Sequence, residues 1–359
     1  FLTDQIAAFP LLLDELLDER LFESVPSRAE FEQDLRARMA GAESDDPEQQ
    51  VDLLRQFQRV AVFRVAVPDL TGRLPLMKVS DRLTDIAELI CAEALALSWQ
   101  QIVERHGVPQ YGSDESHLGQ AGLIVVAYGK FGGIELGYSS DLDLVFLHDS
   151  AGEVQRTTGP KVVDNGVFFL RLVQRLVHVL TVHSAAGRLY EVDTRLRPSG
   201  KGGLLVQSLE GFGDYQRGEA WTWEHQALLR ARVVAGDPLL RERFEALRRD
   251  ILRFDVRRAT LKEDVRNMRE RMRAELSKSG PGQFDLKQDA GGITDIEFLA
   301  QYWTLHWAER YPELVTYSDN IRQLESLASA DLVPQATVDV LTNAYRAYRQ
   351  RMHHLSLEA

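Results

Sequence analysis

Two aspartates, Asp141 and Asp143, open an otherwise apolar run in the segment GYSSDLDLVFLHD, residues 137–149. Side chains alternate along a strand, so both carboxylates are expected on one face. Val145 and Leu147 follow on the same face. The opposite face carries Leu142, Leu144 and Phe146. Two carboxylates this close repel each other and resist dehydration unless a cation lies between them. The pair therefore predicts a cation-binding site at the start of a strand.

A third acid lies in the segment LYEVDTRLRP, residues 189–198, which also reads as a strand. Alternation would place Glu191, Asp193, Arg195 and Arg197 on one face. If the two strands are neighbours, Asp193 joins the aspartate pair, and three carboxylates suit Mg²⁺ or Mn²⁺, which prefer oxygen ligands and bind substrate phosphates. The alternative is a solvent-facing strand on which the arginines pair with nearby acids.

The composition limits the possible partners. The formal net charge of −12 argues against a nucleic-acid surface, which needs a positive field. The nine histidines and the single cysteine, Cys91, lack zinc-ligand spacing, so any metal should have oxygen ligands. A lone cysteine fits a reducing compartment. No apolar run of membrane-spanning length and no signal peptide are recognisable, so we expect a cytoplasmic protein without a membrane partner.

Changes in periodicity divide the chain into three expected regions. Residues 1–106 show helical patterns, residues 107–210 mix strand and helix patterns, and residues 211–359 return to helical patterns. The first residue is Phe1 rather than methionine, and we expect a segment of a longer protein. The fold class predicted is a small mixed α/β core flanked by all-α domains.

Several residues mark the expected elements. The run LIVVAYG predicts a buried strand, the segment 161–185 predicts a long apolar helix, and GLLV predicts a short strand. Expected N-caps are Ser27, Asp46 before Pro47, Ser80, and Asp237 before Pro238. The segment 107–122 is interpreted as a boundary loop, and 277–292 as a glycine-rich loop with a possible short strand.

The spacing of these residues resembles the nucleotidyltransferase superfamily of the polymerase-β type. A strand ends at Gly129-Lys130, ten residues follow, Asp141 and Asp143 come next, and Asp193 lies on a later strand. Lys130 departs from the pattern, because the superfamily usually has serine there. Longer stretches, among them EVDTRLRPSG, EAWTWEHQAL and DAGGITDIEF, resemble the glutamine synthetase adenylyltransferase family, from about Gly72 to the C-terminus.

This resemblance implies a site and a reaction. Asp141, Asp143 and Asp193 would be the catalytic residues and would hold Mg²⁺ or Mn²⁺. ATP would be the substrate, with its phosphates against a second set of residues: Gly129, Lys130, Ser139, Ser140, Arg195 and Arg197. Arg230, in a stretch read as helical, is a further candidate for approaching the nucleotide. The family transfers AMP to a tyrosine of glutamine synthetase and is regulated by a PII signal protein.

The chain is more similar to the C-terminal, adenylylating copy of the family than to the copy that removes AMP. Three alternatives stay open at this point. One is phosphorolytic removal of AMP by the same fold, one is a uridylyltransferase acting on a PII protein, and one is a binding module without activity. An RNA nucleotidyltransferase is disfavoured by the negative charge.

Overall fold

The computed structural model describes residues 6–7, 9–10, 12–17, 24–41, 46–183, 187–277, 279–280 and 282–358. Parts of the helical pattern expected in residues 1–23, and residues 42–45, lie outside this range. The helices in chain order are α1 Leu12–Leu16, α2 Arg28–Met39, α3 Pro47–Leu70, α4 Leu76–His106, α5 Gly129–Gly132, α6 Asn165–Thr181, α7 Leu209–Gly218, α8 Thr222–Leu229, α9 Pro238–Asp250, α10 Leu261–Leu276, α11 Ile293–Trp307, α12 Asn320–Ser329 and α13 Gln335–Glu358.

The strands form two sheets. In chain order they are β1 Pro109–Gly112, β2 Gly119–Gln120, β3 Leu123–Ala127, β4 Leu142–His148, β5 Val154–Thr157, β6 Val192–Asp193, β7 Val206–Ser208 and β8 Arg232–Gly236. The main sheet has the order β6-β4-β3-β8, and β7 also pairs with β4. Strand β3 is antiparallel to β4 and β8, whereas β6 and β7 run parallel to β4. Strands β2, β1 and β5 form a small antiparallel sheet.

Both faces of the central strands are buried, as the continuous apolar runs predicted. Leu142, Leu144 and Phe146 pack into a core formed with α3, α4 and α6. Val145 and Leu147 pack on the opposite face against α7 to α10. The alternation expected for β4 is therefore confirmed, and it fixes the direction in which Asp143 points.

Most of the expected helix starts are confirmed. Ser27 forms a capping box with Glu30, and the Asp46 carboxylate accepts the N–H groups of residues 48 and 49. Asp237 caps α9 by accepting the backbone N–H of Leu240 at 2.8 Å. Ser80 was wrongly expected to be a cap. It lies inside α4, which begins directly after Pro75.

The strand expected at 189–198 is much shorter than predicted. Only β6, Val192–Asp193, is strand, and turns follow. The Asp193 carboxylate accepts the backbone N–H of Arg195 at 2.8 Å, an Asx turn that redirects the chain. Arg195 and Arg197 therefore do not share a strand face with Asp193, contrary to the expected alternation.

Three further segments differ from their sequence interpretation. The presumed boundary loop contains β1 and β2, and the last part of a stretch read as helical, RVVAG, forms β8. Its apolar β-branched residues pair with β3, an arrangement that the local pattern does not reveal. The described part of 277–292 contains no strand.

The division into three regions stays a prediction, but the sheet does not end with the second region. Strand β8 comes from beyond residue 210 and occupies one edge of the main sheet. Helix α4, from the first region, contributes Val79, Ile86 and Ile90 to the same core as β4. The observed class is mixed helix and sheet with helices on both sides, which agrees with the coarse prediction.

Helix α4 has the length and mean hydropathy of a membrane-spanning helix, so the expectation that no such segment exists is wrong by this criterion. However, 56% of its apolar stretch is buried inside the protein. Its apolarity is explained by packing, because the core helix of a folded domain passes the same test.

Helix α6 offers a matched test of this packing. Leu172 is fully buried, whereas Leu170 on the same helix is 39% exposed. We expect Leu172→Ala to lower the free energy of unfolding by ~2–5 kcal/mol, because it leaves a cavity, and Leu170→Ala by less than ~1 kcal/mol. Urea unfolding followed by circular dichroism measures both. Equal losses would contradict the orientation of α6.

Candidate active site

The three predicted aspartates meet at one end of the main sheet. Asp141 immediately precedes β4, and Asp143 is the second residue of that strand. In the parallel pairing of β4 and β6, Asp143 lies directly opposite Asp193. The strand register thus places Asp143 beside Asp193, with Asp141 two residues before Asp143.

The charges of the three carboxylates act on one another. Burial, together with the negative charges of Asp141 and Asp193, raises the pKa of Asp143 to about 6. Asp193 behaves differently, because hydrogen bonds from Arg195 lower the pKa of its carboxyl group. At neutral pH the site therefore concentrates negative charge, and it favours a cation.

In this structure the cation beside the carboxylates is Arg195. Its backbone N–H and its Nε donate to the two oxygens of Asp193, at 2.8 and 2.6 Å. Among the described residues, no group of three or more His, Cys, Asp or Glu is arranged to hold a metal ion. The carboxylates fit Mg²⁺ or Mn²⁺ by ligand type, and Asp193 would have to exchange Arg195 for the ion.

Gly129 lies against Asp143. Its φ of 55° is left-handed, and a Cβ added there would lie 2.2 Å from Oδ2 of Asp143. The preceding residue, Tyr128, donates its backbone N–H to the carbonyl oxygen of Asp143 at 2.9 Å. Only glycine fits both the conformation and the space, so the turn of α5 lies directly over the carboxylate.

Lys130 lies in the same turn and keeps part of its side chain exposed. Desolvation lowers the pKa of Lys130, and the positive charges of Lys287 and Arg349 act in the same direction. The negative charges of Glu297 and Asp141 act in the opposite direction. Lys287 was not predicted as a site residue. Lys287 belongs to the loop before α11. This stretch resembles the family, but the resemblance implied no role for Lys287. Its positive charge near Lys130 became evident only from the fold.

The remaining predicted residues have different environments. Ser139 is exposed, and the Ser140 hydroxyl accepts the backbone N–H of Gly137 at 3.0 Å. The Arg197 guanidinium donates to the carbonyl oxygens of Thr194, at 2.7 Å, and Gly203, at 3.2 Å. Arg197 is therefore used to brace its own loop, whereas the two serines lie in the segment leading to Asp141.

Arg230 connects this site to the C-terminal helices. Its Nε donates to the carbonyl oxygen of Gly129 at 3.1 Å, and its Nη1 donates to Glu297 at 3.0 Å. Its Nη2 pairs with Glu135, which is 1% exposed. These acids raise the pKa of Arg230, and Arg230 and Arg349 keep the pKa of Glu135 low despite burial. Arg230 is thus committed to the protein interior rather than to a nucleotide.

Helix α13 completes the network. The Tyr345 hydroxyl lies 2.8 Å from Glu135 and 3.1 Å from Glu297. Arg349 donates to the carbonyl oxygen of Glu135 at 2.9 Å and to the Ser80 hydroxyl at 3.0 Å. Segments that are distant in sequence therefore share one buried set of charges beneath the Gly129 turn.

A second contact fixes the loop before Asp141. The Tyr138 hydroxyl donates to Oδ2 of Asp69 at 2.9 Å, and Nε2 of His353 lies 2.6 Å from the same oxygen. The Tyr138 and His353 rings are 5.1 Å apart. The loop is consequently held between the end of α3 and the end of α13.

Comparison with known proteins defines the class. A family model described as glutamate-ammonia ligase adenylyltransferase matches residues 1–247, so the chain belongs to this family. A second model, GlnD PII-uridylyltransferase, matches residues 260–359. More particularly, the chain is 51% identical, over 349 residues, to the bifunctional glutamine synthetase adenylyltransferase/adenylyl-removing enzyme of Thioalkalivibrio sulfidiphilus. The match covers 97% of this chain and 36% of that relative.

The contact of Gly129 with Asp143 gives a stability prediction. We expect Gly129→Ala to lower the free energy of unfolding by ~1–3 kcal/mol, because a Cβ strains a left-handed residue and collides with the carboxylate. Gly202→Ala is the control, since no atom of the described residues lies within 4 Å of its added Cβ, and should change stability by less than ~0.5 kcal/mol. Urea denaturation compares the two, and a neutral Gly129→Ala would contradict the contact.

The raised pKa of Asp143 predicts a pH dependence. The folded value, about 6, lies above the ordinary value of 3.8, so the folded state holds the proton more tightly. Relative to Asp143→Asn, the wild type should lose ~1–3 kcal/mol of stability as the pH rises from about 4 to about 7. Unfolding in EDTA at several pH values measures this difference.

Asp114→Asn is the control for this titration. Hydrogen bonds from Ser116 lower the pKa of Asp114, so its contribution has the opposite sign and is lost as the pH falls. A difference between the wild type and Asp143→Asn that does not vary with pH would contradict the crowding of the three carboxylates.

Proposed function

We propose that this chain transfers AMP from ATP to a tyrosine hydroxyl of glutamine synthetase and releases pyrophosphate. The observation that carries the proposal is the register of β4 and β6, which brings Asp143 and Asp193 together beneath Gly129 in a chain of this family. The core is proposed to be of the polymerase-β type. The name of the T. sulfidiphilus relative supports glutamine synthetase as the protein substrate.

The turn at Gly129 and the loop before Asp141 are proposed to bind the triphosphate. Backbone N–H groups and the hydroxyls of Ser139 and Ser140 can donate to phosphate oxygens. The ammonium groups of Lys130 and Lys287 can balance the charge of the departing pyrophosphate. Holding the α-phosphorus in line with the tyrosine oxygen supplies much of the acceleration.

Asp141, Asp143 and Asp193 would hold Mg²⁺ or Mn²⁺. When bound, the metal would neutralise phosphate charge and favour ionisation of the attacking hydroxyl. Asp193 is proposed to accept the tyrosine proton, which requires that Arg195 leave it, because the present pairing lowers the basicity of this carboxylate. Arg195 is exposed and free to turn toward a phosphate of ATP.

The proposal includes a PII signal protein as regulator, a cytoplasmic location, and no role for nucleic acid or membranes. The net charge of −12 supports the exclusion of nucleic acid, since a phosphate backbone would be repelled. The match of residues 260–359 to a PII-uridylyltransferase model makes UTP and a PII protein the necessary comparison in any test.

The test is incubation with α-labelled ATP, Mg²⁺ and unmodified glutamine synthetase. We expect label to appear in the synthetase, and Asp141→Asn/Asp143→Asn to reduce the rate by ~10²–10³-fold or more, because metal binding contributes several kcal/mol to the transition state. Asp114→Asn, which removes an exposed carboxylate, should transfer label at the wild-type rate.

Other outcomes identify the alternatives. Phosphate-dependent release of ADP from adenylylated synthetase, without forward transfer, would show the removing reaction. Transfer of label from UTP to a PII protein would show a uridylyltransferase. Full activity in the double variant would show that the aspartates are not the site.

A further inference from the structure

The side chain of Arg230 contacts three groups from distant parts of the chain. Its Nε binds the Gly129 carbonyl oxygen, and its two terminal nitrogens bind Glu297 and Glu135. We propose that Arg230 is a positioning residue that fixes the Gly129 turn against Asp143, and so sets the place of the triphosphate. The expected effect on catalysis rests on the proposed function. The position of the turn does not depend on it.

The chemistry of the contacts requires arginine. The guanidinium presents five donors in a rigid plane, so one side chain can bind a carbonyl oxygen and two carboxylates in different directions. Lysine would keep the positive charge between Glu135 and Glu297. Its single ammonium, however, cannot bind both acids and also reach the Gly129 carbonyl oxygen in this fork geometry.

The turn is packed tightly against Arg230 as well as hydrogen-bonded to it. A Cβ at Gly132 would lie 1.9 Å from the carbonyl oxygen of Arg230, and a Cβ at Gly133 would lie 2.4 Å from its Nη2. Arg232 adds bonds to the carbonyl oxygens of Phe131 and Gly132, each at 3.3 Å. The glycines allow this close approach, so a shift of Arg230 has to move the turn.

The partners of Arg230 are themselves fixed. Glu135 is buried and lies 2.8 Å from the Tyr345 hydroxyl, and Glu297 lies within α11. Since a buried carboxylate cannot exchange its partner for water, Arg230 has no alternative position at low cost. The C-terminal helices therefore add to the β3–β4 pairing in fixing where Gly129 lies relative to Asp143.

The experiment compares Arg230→Lys with Arg248→Lys. Arg248 is also buried and lies close in sequence and space, and it donates to the carbonyl oxygens of Leu228, Leu229 and Val315. Within the described part of the chain it forms no hydrogen bond with residues 129–133. For both variants we measure hydrogen exchange of the amides of residues 129–133, kcat, and KM for ATP and for glutamine synthetase. Urea unfolding shows how much each variant is destabilised.

We expect Arg230→Lys to speed exchange of the 129–133 amides by ~10-fold or more, since the turn can open locally. The value of kcat/KM for ATP should fall by ~10²-fold, because a small misplacement of the reacting groups is enough for such a loss. KM for glutamine synthetase should stay within about 2-fold, and Arg248→Lys should change none of these quantities, even if it lowers stability equally.

The inference is overturned if Arg230→Lys exchanges and reacts like the wild type, or if Arg248→Lys produces the same losses. If Arg230→Lys does not fold, Glu297→Gln takes its place, since it keeps an acceptor oxygen but loses the charge. Faster exchange of the same amides then supports the inference, and unchanged exchange overturns it. A wild type that transfers no AMP refutes the proposed function, and hydrogen exchange alone then decides the position of the turn.

Discussion

The structure depends on one buried charge arrangement, Arg230 between Glu135 and Glu297. Charges in a protein interior have to be paired and hydrogen-bonded, because the cost of removing them from water is several kcal/mol for each ion. Such a group contributes little net stability, but it tolerates few geometries. Here it joins the turn after β3 to α11, while Tyr345 and Arg349 extend the same arrangement to α13 and α4. This requirement fixes the Gly129 turn, whereas strand register places Asp143 beside Asp193.

The three carboxylates are held together in a different way from the charges around Arg230. Strand register places Asp143 beside Asp193, and burial together with the charges of Asp141 and Asp193 raises the pKa of Asp143. Arg195 compensates one of them from the surface, where an ion pair is weak and exchangeable. A buried arginine therefore holds the turn, and an exposed arginine pairs with one of the acids.

The sequence alone is enough to predict features that depend on a local repeat or spacing. Alternation along β4 correctly assigned its two faces, and the spacing of Asp141 and Asp143 located the carboxylates. The short strand β6 was overestimated because the Asx turn at Asp193 interrupts an otherwise strand-like pattern. Strand β8 was missed because its pairing with β3 spans more than a hundred residues. Likewise, no local signal joins Arg230 to Glu135, and the proximity of Lys287 to Lys130 depends on how the loop before α11 packs near the Gly129 turn.

The central claim is that the three carboxylates gather a divalent cation beside the nucleotide. Electron paramagnetic resonance of Mn²⁺, titrated in the presence of a nonhydrolysable ATP analogue, tests it most directly. We predict about two bound ions for each chain. Asp143→Asn should lose tight binding, and Asp114→Asn should retain it. Equal Mn²⁺ binding by the wild type and Asp143→Asn would contradict the assignment of the site.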